Sequence, residues 1–280
     1  MTSQAPIRTR SWLFTPATRP ERFAKASQAG ADVAILDLED AVAPGDKARA
    51  RTTALDYLTK NPSDGALHAL RINGLDTRAG ISDLDALLGS TAAPDFLVLP
   101  KTETAGHIEI LDRLLTAAGK ATRLIGLIES ARGLAAVEAI ATATPRLAGL
   151  MLGAADMAAD LGATVAWEPL AFVRCRLIAA CALAGAVSVD SPYFDLHDEP
   201  GLKREVNGAV TFGFSAKAAI HPAQIGAINA ALTPSAEAVK RARAVLAENT
   251  KGVGTVDGQM IDEAVARKAR RTLFSAGLEA

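Results

Sequence analysis

Short apolar, β-rich runs recur about every 25 to 30 residues, separated by stretches of helical periodicity, the βα alternation of a parallel sheet. The predicted strands are Ser11–Pro16, Val33–Glu39, Leu67–Asn73, Phe96–Lys101, Arg123–Glu129, Ala148–Gly153, Ala186–Asp190 and Ser215–Ile220. Eight such units predict an α/β protein of the closed (β/α)8 TIM-barrel type rather than an open doubly wound sheet. Polar residues gather where these runs end: Asp37, Glu39 and Asp40; Arg71 and Asn73; Lys101; Glu129; Asp156; Asp190; Lys217 and His221. A barrel would carry them to its C-terminal mouth, where active sites of this fold lie. No Gly-x-Gly-x-x-Gly comes after an early strand and there is no Walker-type phosphate loop, which argues against dinucleotide or nucleoside-triphosphate chemistry.

A barrel does not need the chain beyond the eighth unit. A helix is predicted over Ser235–Glu248, then a Gly-punctuated connection, Asn249–Gly258, then an amphipathic segment from Met260 to Phe274. The expected organisation is a barrel over residues 1–233 and a helical extension over 234–280. The extension would act as an arm over a site, its own or a neighbour's.

Composition narrows the class. Apolar residues make up 49% of the 280 and aromatics 4%, so the core must be built from Ala, Val, Leu and Ile. The net charge of −1 leaves no basic footprint for nucleic acid or a membrane surface. The longest nearly apolar stretch, Leu177–Val189, is too short to span a bilayer. Met1–Arg10 reads as a polar lead-in without an apolar signal core, and a cytoplasmic location is expected. Cys175 and Cys181 fall on different faces of one predicted helix and are expected to be reduced core thiols.

The chemistry points to Glu129 and Asp156. Each closes an apolar strand-like run that passes straight into a helical pattern, and neighbouring parallel strands would bring both to one rim. Two carboxylates with no Cys or His nearby suit a hard divalent cation such as Mg²⁺. The rival reading is that each caps the helix after it. Arg71 could bind a carboxylate or a developing oxyanion through its planar fork, or serve as a structural ion-pair partner. Lys101 would need a depressed pKa to form a Schiff base, and so many carboxylates nearby argue against that. His221, just before Pro222, is expected to order its loop. His68, His107 and His197 carry no pattern, and no Ser/His/Asp or Cys/His set can be assembled.

Taken together, these segments resemble the citrate lyase beta-subunit family of the HpcH/HpaI aldolase superfamily, which includes malyl-CoA and citramalyl-CoA lyases. The resemblance rests on Arg10-Ser-Trp-Leu-Phe-Thr-Pro-Ala-Thr18, Ala31-Asp-Val-Ala-Ile-Leu-Asp-Leu-Glu-Asp-Ala-Val42, Leu70-Arg-Ile-Asn-Gly74, Leu99-Pro-Lys101, Leu127-Ile-Glu-Ser130, Leu152-Gly-Ala-Ala-Asp156, Ala219-Ile-His-Pro-Ala-Gln224 and Asp257-Gly-Gln-Met-Ile-Asp262. It implies a Mg²⁺-dependent carbon–carbon lyase. Such an enzyme cleaves, or forms, a 3-hydroxy-acyl thioester of the citryl-, malyl- or citramalyl-CoA type, giving an oxo-acid and a short acyl thioester.

By the same resemblance, Glu129 and Asp156 match the metal ligands, and Arg71 the arginine that holds the oxo-acid. Asp262 matches an aspartate delivered into the adjacent subunit's site, within a homotrimer or hexamer. Arg19, Lys25 and Ala155 match the region that meets the thioester and its phosphates. Asp37, Glu39, Asp40 and Lys101 are expected behind the metal, in ion pairs or hydrogen-bonded to its waters. One departure stands out. The first loop reads Thr15-Pro-Ala-Thr18 where many relatives have Val-Pro-Gly, which removes access to positive φ and leaves CoA and a carrier protein both open as the acyl carrier. Three other functions compete: a class II metal-dependent aldolase on free hydroxy-oxo acids, a thioesterase variant, and a non-catalytic subunit that docks a carrier protein. The aldolase reading is weakened because no His precedes His68.

Overall fold

The computed structural model describes residues 8–61, 65–250 and 254–279. Met1–Ile7 of the polar lead-in and residues 251–253 of the Gly-punctuated connection lie outside them. By internal packing the chain divides between Ile228 and Asn229 into two compact units.

In the first unit, eight parallel strands close into a barrel in sequential order. They are β1 (Ser11–Pro16), β2 (Val33–Asp37), β3 (Leu67–Arg71), β4 (Phe96–Leu99), β5 (Arg123–Ile128), β6 (Leu147–Leu152), β7 (Val187–Asp190) and β8 (Ala216–Ala219). Helices run between them: α1 (Phe23–Gln28), α2 (Lys47–Lys60), α3 (Arg78–Gly89), α4 (Ala105–Ala117), α5 (Ala131–Ala135), α6 (Val137–Ala141), α7 (Ala154–Leu161), α8 (Ala171–Ala184) and α9 (Glu199–Phe212). After β8 comes α10 (Ile225–Leu232). The eight predicted strands are all present. Several end two residues earlier than their apolar runs, because the closing polar residues leave the ladder.

Alternation of side chains along each strand builds two cores. Trp12, Val33, Ile35, Ala69, Phe96, Val98, Ile125, Leu127, Met151, Val189, Ala216 and Ala218 fill the barrel. The alternate positions, among them Leu36, Leu70, Leu97, Leu99, Leu124, Ile128, Leu150 and Leu152, pack outward against the helices. The same phase decides where the charged residues go. Asp37, Arg71 and Glu129 each lie two residues beyond an inward residue (Ile35, Ala69, Leu127), so they emerge inside the rim.

Asp190 and Lys217 hold the opposite phase, which corrects their expected place at the mouth. Lys217, fully buried, points outward from β8 and donates to Asp190 Oδ2 at 2.6 Å, Ser191 O at 2.7 Å and Glu205 Oε1 at 2.7 Å. Arg174 on α8 donates from Nε to Asp190 Oδ1 at 3.0 Å and stacks on Trp167, 4.2 Å from the ring centroid. This network ties β7 and β8 to α8 and α9. Lys217→Met leaves Asp190 to Arg174 alone and Glu205 without its cation. Removing one member of a buried ion-pair network is expected to cost about 3 kcal/mol, the low end for a broken buried pair. Urea unfolding is expected to show that loss, and a midpoint shift worth less than about 1 kcal/mol would contradict it.

Two sequence expectations about single residues are corrected. Cys181 is buried, but Cys175 is exposed rather than part of the core; both are free thiols. Ala17 is buried, and among the described residues only Lys101 and Asp257 are non-glycine residues with positive φ. The first loop therefore needs no left-handed backbone at Ala17. Among the described residues no helix is long and apolar enough to cross a membrane.

The second unit contains α11 (Ala236–Asn249), β9 (Gly254–Val256), β10 (Gln259–Ile261) and α12 (Glu263–Ser275). Part of the expected flexible connection is thus an antiparallel hairpin. Asp257 and Gly258 both take positive φ, 52° and 75°, as a two-residue primed turn requires. Ala242, Val245, Ile261, Ala269 and Leu273 form its small core.

Candidate active site

The C-terminal mouth of the barrel opens into a cavity of about 370 Å³. Asp37, Asp40, Arg71, Glu129, Ala155 and Asp156 all line it, against an apolar wall that includes Phe14, Leu127, Met151, Phe194 and Ile220.

Arg71 is held on three sides. Its Nε and Nη2 donate to the two oxygens of Asp37 at 2.6 and 2.7 Å, and Phe14 stacks under the guanidinium at 4.8 Å. Nη1 lies 2.8 Å from Glu39 Oε2 and 3.4 Å from Asp40 Oδ2. The Glu39 contact is an ion pair without hydrogen-bond alignment, since Oε2 is buried and makes no hydrogen bond. Burial opposes the guanidinium charge, but Asp37, Glu39 and Asp40 outweigh it and the net shift is upward. Burial also pushes the Glu39 carboxyl up to about 8, against the pull of Arg71 and with Asp40, Glu129 and Asp37 adding to the rise.

Glu129, 4% exposed, accepts a hydrogen bond from the Lys101 backbone N–H at 2.8 Å. Burial drives its carboxyl up to about 7; the Lys101 hydrogen bond opposes the rise and Asp156 adds to it. Asp156 stands in the first turn of α7. Neither carboxylate caps a helix: Ser130 caps α5 through Gly133 N at 3.1 Å, and α7 has no side-chain cap. Among the described residues neither forms an ion pair with Lys, Arg or His. Glu129 is buried and Asp156 exposed, yet both line one cavity and Asp156 lies near enough to raise the Glu129 carboxyl further, so together they offer a cation two anionic donors. Among the described residues no cluster of three or more His, Cys, Asp or Glu side chains forms a protein-only cage. Two anionic oxygen donors with room for water and substrate oxygens fit Mg²⁺, which keeps several waters.

The remaining sequence candidates lie elsewhere. Arg19 lines a neighbouring polar cavity of about 440 Å³ with Thr18, Ala41, Ala43, Asp46 and Arg49. Lys25 is on the exposed face of α1 and lines neither cavity. Lys101 is exposed, and its contact with Glu129 runs through the backbone, not the ammonium. Asp262 caps α12 in the second unit, accepting from Val265 N at 2.9 Å. His221 accepts from Ala223 N through Nδ1 at 3.2 Å and orders its loop. Sequence reasoning missed Phe14 and Phe194 in the wall. Phe14 has a signal, being two residues beyond inward-facing Trp12. Phe194 has none, because it sits in a loop without periodicity.

Residues 10–222 match the family described as HpcH/HpaI aldolase/citrate lyase. The chain belongs to the HpcH/HpaI aldolase/citrate lyase family. It is 35% identical over 292 residues to an L-malyl-CoA/beta-methylmalyl-CoA lyase of Cereibacter sphaeroides, covering 93% of this chain and 92% of that protein. The crystal structure of RipC from Yersinia pestis is 59% identical, with a TM-score of 0.74 over 82% of this chain and 97% of that one. A structure of CitE from Mycobacterium tuberculosis, in complex with magnesium, acetoacetate and coenzyme A, is 36% identical. Its TM-score is 0.80 over 96% of this chain and 98% of that one. Family membership thus spans the whole barrel and both carboxylate-bearing segments.

Proposed function

We propose that this protein is a Mg²⁺-dependent carbon–carbon lyase acting on a 3-hydroxy-acyl-CoA thioester, releasing an oxo-acid and a short acyl-CoA. The observation that carries the reading is the convergence of Glu129, Asp156 and Arg71 on one cavity at the barrel mouth. The Mycobacterium structure with magnesium and coenzyme A, and the relative named as a malyl-CoA lyase, support it.

Cleavage breaks the carbon–carbon bond next to the 3-hydroxyl: the hydroxyl proton would pass to the Asp262 carboxylate, the O–H electrons form the oxo-acid's carbonyl, and the electrons of the broken bond become a thioester enolate. Glu129 and Asp156 would hold the metal through oxygen donors. When bound, Mg²⁺ supplies Lewis-acid polarisation of the oxo-acid's oxygens. Asp37 fixes the Nε/Nη2 edge of Arg71 while Glu39 and Asp40 flank Nη1, so a substrate carboxylate or developing oxyanion would share the Nη protons with these acids. The apolar wall of Phe14, Leu127, Met151 and Ile220 limits water at the enolate. Asp262 would return a proton to the enolate carbon from the neighbouring subunit of a cytoplasmic homotrimer or hexamer.

Mass-spectrometric screening of citryl-, malyl-, methylmalyl- and citramalyl-CoA, with Mg²⁺ and with EDTA, tests the reaction. Metal-dependent release of an oxo-acid plus acyl-CoA is expected from at least one; silence across the panel would move the substrate to a carrier-protein thioester or a free acid. For Asp262, the informative experiment mixes two inactive variants, Asp262→Ala and Glu129→Gln. Exchange of subunits should restore part of the activity if Asp262 acts across an interface, and no recovery after verified exchange contradicts that role.

The pH dependence comes from Glu129. Its carboxyl titrates at about 7, and Mg²⁺ must displace that proton to bind. Mg²⁺ affinity should therefore be full at pH 8 and fall about tenfold per unit below pH 7. Calorimetry at pH 6 and 8, in buffers of different ionisation enthalpy, counts the released proton. Equal affinity at the two pH values would rule out the raised carboxyl.

A further inference from the structure

The Glu129 side chain occupies a slot with two backbone walls. On one side, Lys101 N–H donates to Oε1 at 2.8 Å. Lys101 adopts φ +48° there, a left-handed conformation that is unfavourable for a non-glycine residue and persists only where surrounding structure over-determines it. On the other side is Gly153. A Cβ built there would stand 2.5 Å from both Cβ and Oε2 of Glu129. Gly153 has φ −94° and ψ 84°, so its backbone does not require glycine; the space does.

Gly153 also links the two carboxylates. Its N–H donates to Ile128 O at 3.0 Å, tying the end of β6 to the residue just before Glu129. It is the N-cap residue of α7, and its carbonyl accepts from Met157 N at 3.0 Å in the turn that carries Asp156. One residue therefore contacts Glu129 directly and starts the helix bearing Asp156.

We propose that Gly153 and the left-handed backbone of Lys101 form a socket that sets the spacing between Glu129 and Asp156, making both residues positioning elements for Mg²⁺. The inference rests on the metal reading above. Mg²⁺ demands near-ideal octahedral geometry, whereas Ca²⁺ accepts irregular coordination. A displaced Glu129 should therefore penalise Mg²⁺ more than Ca²⁺, a difference that general loss of structure would not produce.

Titration calorimetry of the full chain with Mg²⁺ and with Ca²⁺ tests this without a substrate. Gly153→Ala is expected to weaken Mg²⁺ at least tenfold and Ca²⁺ clearly less, with the metal-free melting temperature lowered by the clash with Glu129. Lys101→Gly, which keeps the N–H and permits positive φ, should retain Mg²⁺ affinity. Lys101→Val removes the same ammonium but resists positive φ, and should weaken Mg²⁺ several-fold. Should Gly153→Ala fail to fold, the two Lys101 variants decide. Equal Mg²⁺ losses in Lys101→Gly and Lys101→Val would assign the effect to the ammonium and overturn the socket. Parent-like binding in Gly153→Ala and Lys101→Val would overturn it too, while leaving the metal site standing. A parent protein that binds no Mg²⁺ overturns the metal reading and the socket together.

Discussion

Glu129→Gln is expected to abolish measurable Mg²⁺ binding and to lower kcat on the order of 10³-fold, the rate equivalent of several kcal/mol of electrostatic stabilisation. The substitution keeps the shape and an oxygen that can still accept from Lys101 N–H, so the slot beside Gly153 stays filled. What it removes is charge. In the metal-free protein that charge is unfavourable, because burial raises the carboxyl to about 7 from its ordinary value near 4.5. For an acid raised in the folded state, stability is complete below the unfolded pKa and is lost as pH rises through the folded one. Glu129→Gln should therefore melt at or above the parent temperature at pH 8 without metal, while losing the stabilisation that Mg²⁺ confers on the parent. Calorimetric melting with and without Mg²⁺ separates the two effects. A variant that still gains stability from Mg²⁺ as the parent does would remove Glu129 from the metal site.

Arg71→Lys should cost about 10²- to 10³-fold in kcat, the usual loss when one preorganised electrostatic stabiliser is removed. The fork is the reason. Asp37 occupies the Nε/Nη2 edge in bidentate fashion, at 2.6 and 2.7 Å. That grip fixes the plane of the guanidinium that lines the cavity, and an ammonium has neither plane nor second edge. A lysine keeps a positive charge beside Asp37, which is 1% exposed, so the fold should tolerate it. Arg71→Ala is a different experiment. It leaves Asp37 buried and unpaired, and is expected to destabilise the protein by about 3–5 kcal/mol. Steady-state kinetics of the lysine variant, with melting as a control, isolates the catalytic part. A kcat within threefold of the parent would make Arg71 a structural partner of the acidic cluster only.

Much of this was legible along the chain. An α/β barrel is implied by eight apolar runs at regular spacing, because a strand buried on both faces must be apolar throughout and a parallel connection needs a helix. Glu129 and Asp156 stood out because a carboxylate at the end of such a run has no apolar environment to satisfy. The phase of the alternation held more than the strand ends alone suggest. Arg71 lies two residues after Ala69 and Glu129 two after Leu127, which puts both on the inner face. Asp190 comes one residue after Val189 and Lys217 falls between Ala216 and Ala218, which puts both on the outer face. Reading only where strands end collects all four at the mouth; reading parity separates them. The hairpin over Gly254–Ile261 had a signal as well, in the Asp257-Gly258 pair.

The sequence by itself determined the number and order of the strands, the apolar character of both cores and the two carboxylates at the rim. These depend on periodicity and residue chemistry, which are local. The tertiary structure decided which charges meet. Asp37 grips Arg71 from 34 positions away in the chain, and Lys101 reaches Glu129 across 28. It also decided that Lys101 acts through its amide, and that Gly153 is needed for space rather than for backbone freedom. Such facts depend on the distance between residues remote in sequence, and barrel closure alone sets that distance.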